Sequence, residues 1–139
     1  MVQQYLKIGN TQLIKMKKDI SPFLIRLGLG IVVLWFSISQ ILDPTKWTFL
    51  VPSYTDFLNP VDIIYINAGL EAIIGILLIF GMFTRFVGLI FSLHLIPIIF
   101  ALGYGPIAVR DFGLLMASLS LVFSGSGNYT LVNFIKRKN

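Results

Sequence analysis

Apolar residues run along this chain in long unbroken stretches, not in the alternating or one-faced patterns of a soluble domain. Four stretches stand out, from about Phe23 to Leu42, Ile63 to Phe83, Phe86 to Leu102 and Ile107 to Phe123. Each is near the roughly 20 residues that a helix rising about 1.5 Å per residue needs to cross about 30 Å of hydrocarbon. Helices of a soluble bundle keep a polar face, and neither Gly28 to Ser39 nor Ala72 to Phe83 has one. The pattern predicts an all-α integral membrane protein, an antiparallel four-helix bundle.

Local signals divide the chain in the same way. Ser21-Pro22 is a helix-entry pair, Asp43-Pro44 and Asn59-Pro60 bracket a long first outer loop, and Gly103-Tyr104-Gly105-Pro106 makes a turn. Thr84 and Arg85 form the middle of a very tight second connection. Residues 1–21 then make a short amino-terminal segment, residues 22–127 the bundle and residues 128–139 a basic tail. After an Asn10-Thr11 start signal, Leu13, Met16 and Ile20 fall on one helical stripe beside lysines. This amphipathic segment fits a helix lying on the membrane surface and fits a solvated tail nearly as well. The first apolar stretch starts too late, is too long for a signal peptide and lacks a small-residue cleavage site, so it is expected to stay in the mature protein.

Charge sets an orientation. Lys7, Lys15, Lys17, Lys18, Arg26, Arg85, Lys136, Arg137 and Lys138 lie on one side, nine of the 11 basic residues. The other side holds Lys46 and Arg110 together with Asp43, Asp56, Asp62 and Asp111. The positive-inside rule places both termini in the cytoplasm and the long loop outside. The net charge of +5 therefore reports membrane topology and attraction to anionic headgroups, and no nucleic-acid partner is expected. With 56% hydrophobic and only 12% charged residues, against about 25% charged in ordinary soluble domains, the partner is the lipid bilayer. The chain has no cysteine and one histidine, His94. No haem attachment, iron–sulfur cluster or zinc site is expected, and no metal.

Ionisable groups deep in a span face the bundle interior and find partners, because exposing them to lipid costs about 2.5 to 3.5 kcal/mol on insertion scales. Glu71 lies about 12 Å inside the outer end of the second stretch at the helical rise. His94 reaches a similar depth on the antiparallel third. Asn67 stands one turn above Glu71 on the same face and Gly75 one turn below. Ser37 and Gln40 share a face with Gly30 on the first stretch. Arg110 and Asp111 open the fourth, where Arg110 shares a stripe with Gly113, Ala117 and Ser118, small residues that allow close approach. Arg110 is expected to reach about 6 Å further toward Glu71. Polar residues of all four helices thus gather in the outer half, while the inner half reads as almost wholly aliphatic.

Two readings of that cluster stand side by side. In one, Glu71 pairs with Arg110 and bonds through Asn67, Gln40 and His94 only to fix helix register. In the other, Glu71 and His94 exchange protons with a ligand that Gln40, Asn67, Arg110 and Asp111 bind. The first loop, with Trp47, Phe49 and Tyr54 among its prolines, is expected either to fold over the outer mouth as a lid or to anchor in the headgroup layer. Asp111-Phe112-Gly113 spells a kinase triplet without the accompanying loops, and Asn128-Tyr129-Thr130 is a glycosylation acceptor that this topology leaves in the cytoplasm.

The chain resembles the DoxX-like proteins, small four-helix membrane proteins that include the small subunit of archaeal thiosulfate:quinone oxidoreductase. The matching elements are Arg26-Leu27 with Gly28 and Gly30, then Glu71 followed by Gly75, Leu78, Gly81 and Thr84-Arg85, and finally Arg110-Asp111 with Leu114-Leu115. They span the chain from about Arg26 to Gly127 and leave out Met1 to Ile20. The resemblance highlights Glu71, Arg85, Arg110 and Asp111, whereas Gln40, Asn67 and His94 rest on depth alone. It implies a small membrane component of a quinone-linked redox system, an oxidoreductase subunit whose electrons come from a protein partner carrying a redox centre. Distant relatives act as chaperones or cargo receptors, so an assembly factor or interaction partner with a purely structural polar cluster is the alternative. Small-residue faces such as Gly113 with Ala117 suit a homo-oligomer and suit packing inside one bundle equally.

Overall fold

The computed structural model describes the backbone of residues 2–55, 57–130 and 133–135. It describes side chains in those ranges from Ile20 onward, together with Thr11 and Ile14. The proposed stripe of Leu13 and Met16 and the basic tail from Lys136 to Lys138 lie outside the described residues. Four helices follow in order: α1 (Val2–Leu42), α2 (Pro60–Phe80), α3 (Thr84–Leu102) and α4 (Pro106–Ser124). Two 3-10 helices, Pro44–Leu50 and Ser53–Thr55, occupy the long connection. All four α-helices contain a window long and apolar enough to span a membrane, at Ile20–Leu42, Pro60–Phe80, Thr84–Leu102 and Pro106–Ser124.

Three details differ from the sequence reading. Helix α1 does not begin at Ser21-Pro22 but runs through it from Val2, with Pro22 inside. Helix α2 starts and stops three residues early. Its first turn is fixed by Asn59, whose side chain accepts from Val61 N at 3.0 Å, and by Pro60, which suits a first helical position. It ends on Gly81 at φ 72°, a left-handed cap that favours glycine. Thr84 and Arg85 therefore open α3, and the tight turn is Gly81–Phe83.

Successive helices run antiparallel, with α1 packed most extensively on α2 and α3 on α4. Glycine sets the first crossing. A Cβ on Gly30 would stand 3.0 Å from Gly75 O, and one on Gly75 would stand 2.7 Å from Leu34 Cγ, so the backbones approach as only small residues allow. At the α3–α4 crossing a Cβ on Gly88 would meet Ser118 O at 3.0 Å. Ser92 Oγ donates to Gly88 O at 2.8 Å and accepts from Ser118 Oγ, which also lies 3.1 Å from that carbonyl. Gly113 has nothing within 4 Å of a would-be Cβ, so of the expected stripe it is the Ser118 end, not Gly113, that makes the close approach. Leu29, Val33, Ile74, Leu78, Phe91 and Leu121 fill the space between. The outward faces are just as apolar, with Ile31, Trp35, Ile66, Ile73, Phe86, Phe100, Phe112 and Phe123 exposed, which is the pattern of helices surrounded by lipid.

Candidate functional site

Antiparallel packing brings the C-terminal ends of α1 and α3 together with the N-terminal ends of α2 and α4, and each helix contributes a polar group. Glu71 on α2 is 8% exposed and Gln40 on α1 is 1% exposed. Gln40 Nε2 donates to Glu71 Oε2 at 2.8 Å. Asn67, one turn earlier on α2, donates from Nδ2 to Gln40 Oε1 at 2.8 Å and to Glu71 Oε1 at 3.1 Å. Ser37 Oγ, one turn before Gln40, donates to Ala68 O at 2.8 Å. The α1–α2 pair thus locks its register through a ring of amide and carboxyl bonds directly above the Gly30–Gly75 crossing.

His94 on α3 turns toward this ring. Its Nε2 lies 3.9 Å from Glu71 Oε1, beyond hydrogen-bond range, and that nitrogen is buried without a hydrogen-bond partner. The imidazole stacks on Phe91 at 6.4 Å between centroids, which holds the ring plane. Its side chain remains 21% exposed, so one edge reaches the bundle surface.

Arg110 does not pair with Glu71, as the sequence reading expected. Its Nε and Nη2 donate to Asp111 Oδ1 at 2.8 and 2.7 Å, and its Cζ lies 4.1 Å from the centroid of Phe36. The physical reason is local. The carboxylate of the next residue and an aromatic face on α1 are both within reach, so the guanidinium is neutralised before it extends to α2. Asp111 is 3% exposed and, with Arg110, Gln40 and Glu71, borders a cavity of about 20 Å³, room for one water molecule.

The first 3-10 helix covers that cavity. It starts where Asp43 accepts from Thr45 Oγ1 at 2.7 Å and pairs with Lys46 Nζ at 2.8 Å. The bonded Lys46 ammonium, with the Thr45 hydroxyl, holds the Asp43 carboxyl below the usual carboxylate range. Trp47 packs edge-on against Phe36 at 5.5 Å and lines the cavity with Leu50, a residue the sequence reading passed over. Phe49 stacks on Trp47 at 6.1 Å but is 51% exposed, and Tyr54 is 73% exposed. Both line a separate recess with Pro97 and Phe100. Of the three expected lid residues, only Trp47 reaches the cluster.

A four-helix membrane-spanning bundle with a carboxyl, amide and imidazole cluster beneath an aromatic cover defines a small multi-pass membrane protein. The DoxX family model matches residues 21–103, more than half of the chain, and the chain belongs to the DoxX family. The match includes Gln40, Asn67, Glu71 and His94 and ends before Arg110 and Asp111. No curated protein and no solved structure matches the chain.

Proposed function

We propose that this DoxX-family protein is a small membrane component of a quinone-linked redox system, with Glu71 and His94 as its proton-exchanging pair. The observation that carries this reading is His94 Nε2, buried without a partner and 3.9 Å from Glu71 Oε1. Leaving such a nitrogen unsatisfied costs about 1–3 kcal/mol, and an oxygen held beside it would recover that cost. A quinone supplies a two-electron acceptor whose oxygens take up protons on reduction. The chain's own part is to present an acid and an imidazole in a low-dielectric site. Gln40 and Asn67 hold the carboxyl, and Asp111 keeps the Arg110 charge away from it. The donor set suits such a headgroup, but the closed cavity holds only one water. A ring therefore reaches the pair by displacing Trp47 and Leu50 or by approaching the exposed edge of His94. Electrons come from a protein partner with a redox centre, since this chain has neither cysteine nor a cofactor motif. The positive-inside rule puts the site near the extracytoplasmic face and both termini in the cytoplasm.

A second reading, an assembly or interaction protein whose cluster is purely structural, is favoured by the pairing of both Glu71 oxygens with Gln40 and Asn67. A quinone analogue titrated into the purified protein separates the two. Saturable binding is expected, weakened about tenfold or more by Glu71→Gln and by His94→Phe. Absence of binding, or binding unchanged in both variants, leaves the structural reading standing.

A further inference from the structure

A second buried charge lies at the opposite end of the bundle. Arg26 is 1% exposed. It donates from Nη1 to Ser126 O at 3.2 Å and from Nη2 to Tyr129 O, and its Cζ stands 5.5 Å from the Phe23 ring. Its Nε is buried without a partner. Among the described residues no carboxylate pairs with it. The carbonyls of Ser126 and Tyr129, in the segment after α4, offset part of the charge. Gly81 makes room for it, since a Cβ there would fall 1.8 Å from Arg26 Nη1. A guanidinium inside a spanning segment still calls for a full countercharge.

Beside Arg26 opens a pocket of about 320 Å³, with Asn128, Thr130 and Asn133 on its polar side and Ile79 and Phe80 on its apolar side. A planar cation beside amides and a hydroxyl is a donor set for phosphate, and the apolar wall suits a hydrocarbon chain. Arg26 lies six residues past Ile20, where the span begins, or about 9 Å along the helix. From that depth the guanidinium reaches back to Ser126 O and Tyr129 O, past the end of α4, which sets the pocket at the rim of the span. The sequence adds Lys136, Arg137 and Lys138 shortly after the pocket, a cluster that concentrates anionic lipid. We infer that this pocket binds a phosphate ester, with the anion on Arg26, and that its depth and apolar wall favour a membrane phospholipid over a soluble phosphate compound.

The test uses the full chain in detergent, titrated with a short-chain phosphatidylglycerol, the matching neutral diacylglycerol and inorganic phosphate. One phosphatidylglycerol per chain is expected to bind saturably, with the diacylglycerol about tenfold weaker or more. Arg26→Gln removes the cation directly. Asn133→Trp fills the pocket from outside the four-helix core, and is expected to weaken binding about tenfold while the helical circular dichroism stays unchanged. Inorganic phosphate binding as tightly as the lipid supports the phosphate site and assigns it a soluble ligand. Equal binding of lipid and diacylglycerol, or undiminished binding by the correctly folded Asn133→Trp variant, overturns the inference and leaves Arg26 as a clasp for carbonyls.

Discussion

Valine at Gly30 is expected to destabilise the protein by about 3 kcal/mol, while alanine at Gly28, two residues earlier, is expected to cost nothing. The contrast follows from the α1–α2 crossing. A side chain at Gly30 meets Ile79 Cγ1 at 2.8 Å and Gly75 O at 3.0 Å, whereas a Cβ at Gly28 has nothing within 4 Å. The Gly75 carbonyl belongs to helix backbone and cannot turn aside, so α1 must move away from α2. That displacement also breaks the Gln40–Glu71 and Ser37–Ala68 bonds two to three turns above. At Gly28 the substitution only trades glycine for a residue about 1 kcal/mol better in a helix. Reversible unfolding in mixed micelles measures both, and equal effects at the two positions would show that α1 and α2 do not cross at Gly30 and Gly75.

Gln40→Leu is expected to cost about 2–3 kcal/mol, near the upper part of the range for stranding a buried acceptor. It leaves Glu71 Oε2 without its 2.8 Å donor and deprives Asn67 of one of its two acceptors. Removing the carboxyl as well, in Gln40→Leu with Glu71→Leu, is expected to recover much of the loss, because replacing both partners with apolar groups of similar shape is nearly neutral. The same unfolding experiment reads the coupling. A double variant as unstable as the sum of the two single ones would mean that Glu71 does not depend on Gln40.

The spans were legible in the sequence because lipid exposes both faces of a helix to the same demand. No amphipathic phase had to be found, and length with punctuation sufficed. Depth alone also brought Gln40, Asn67, Glu71 and His94 together, since antiparallel helices place residues of equal depth side by side. Side-chain choice among near neighbours was not legible. Arg110 had Glu71, Asp111 and Phe36 within reach, and spacing cannot rank an adjacent carboxylate and an aromatic face against a more distant acid. The loop hid which of its aromatics turns inward, because a 3-10 helix has no strong periodicity to reveal it. Arg26 enters the sequence reading as a topology marker and as an element of the family resemblance, not as a buried charge. The rule that singled out Glu71, an ionisable residue well inside an apolar run, applies equally to Arg26 and would have exposed it.

Because His94 is the single histidine of the chain, selective nitrogen-15 labelling of histidine gives a spectrum of one imidazole at the centre of the proposed site. Adding a quinone analogue is expected to move those ring resonances saturably, at the concentrations that give binding, and the movement is expected to vanish in Glu71→Gln. Resonances that stay in place while the analogue binds would contradict a role for the Glu71–His94 pair.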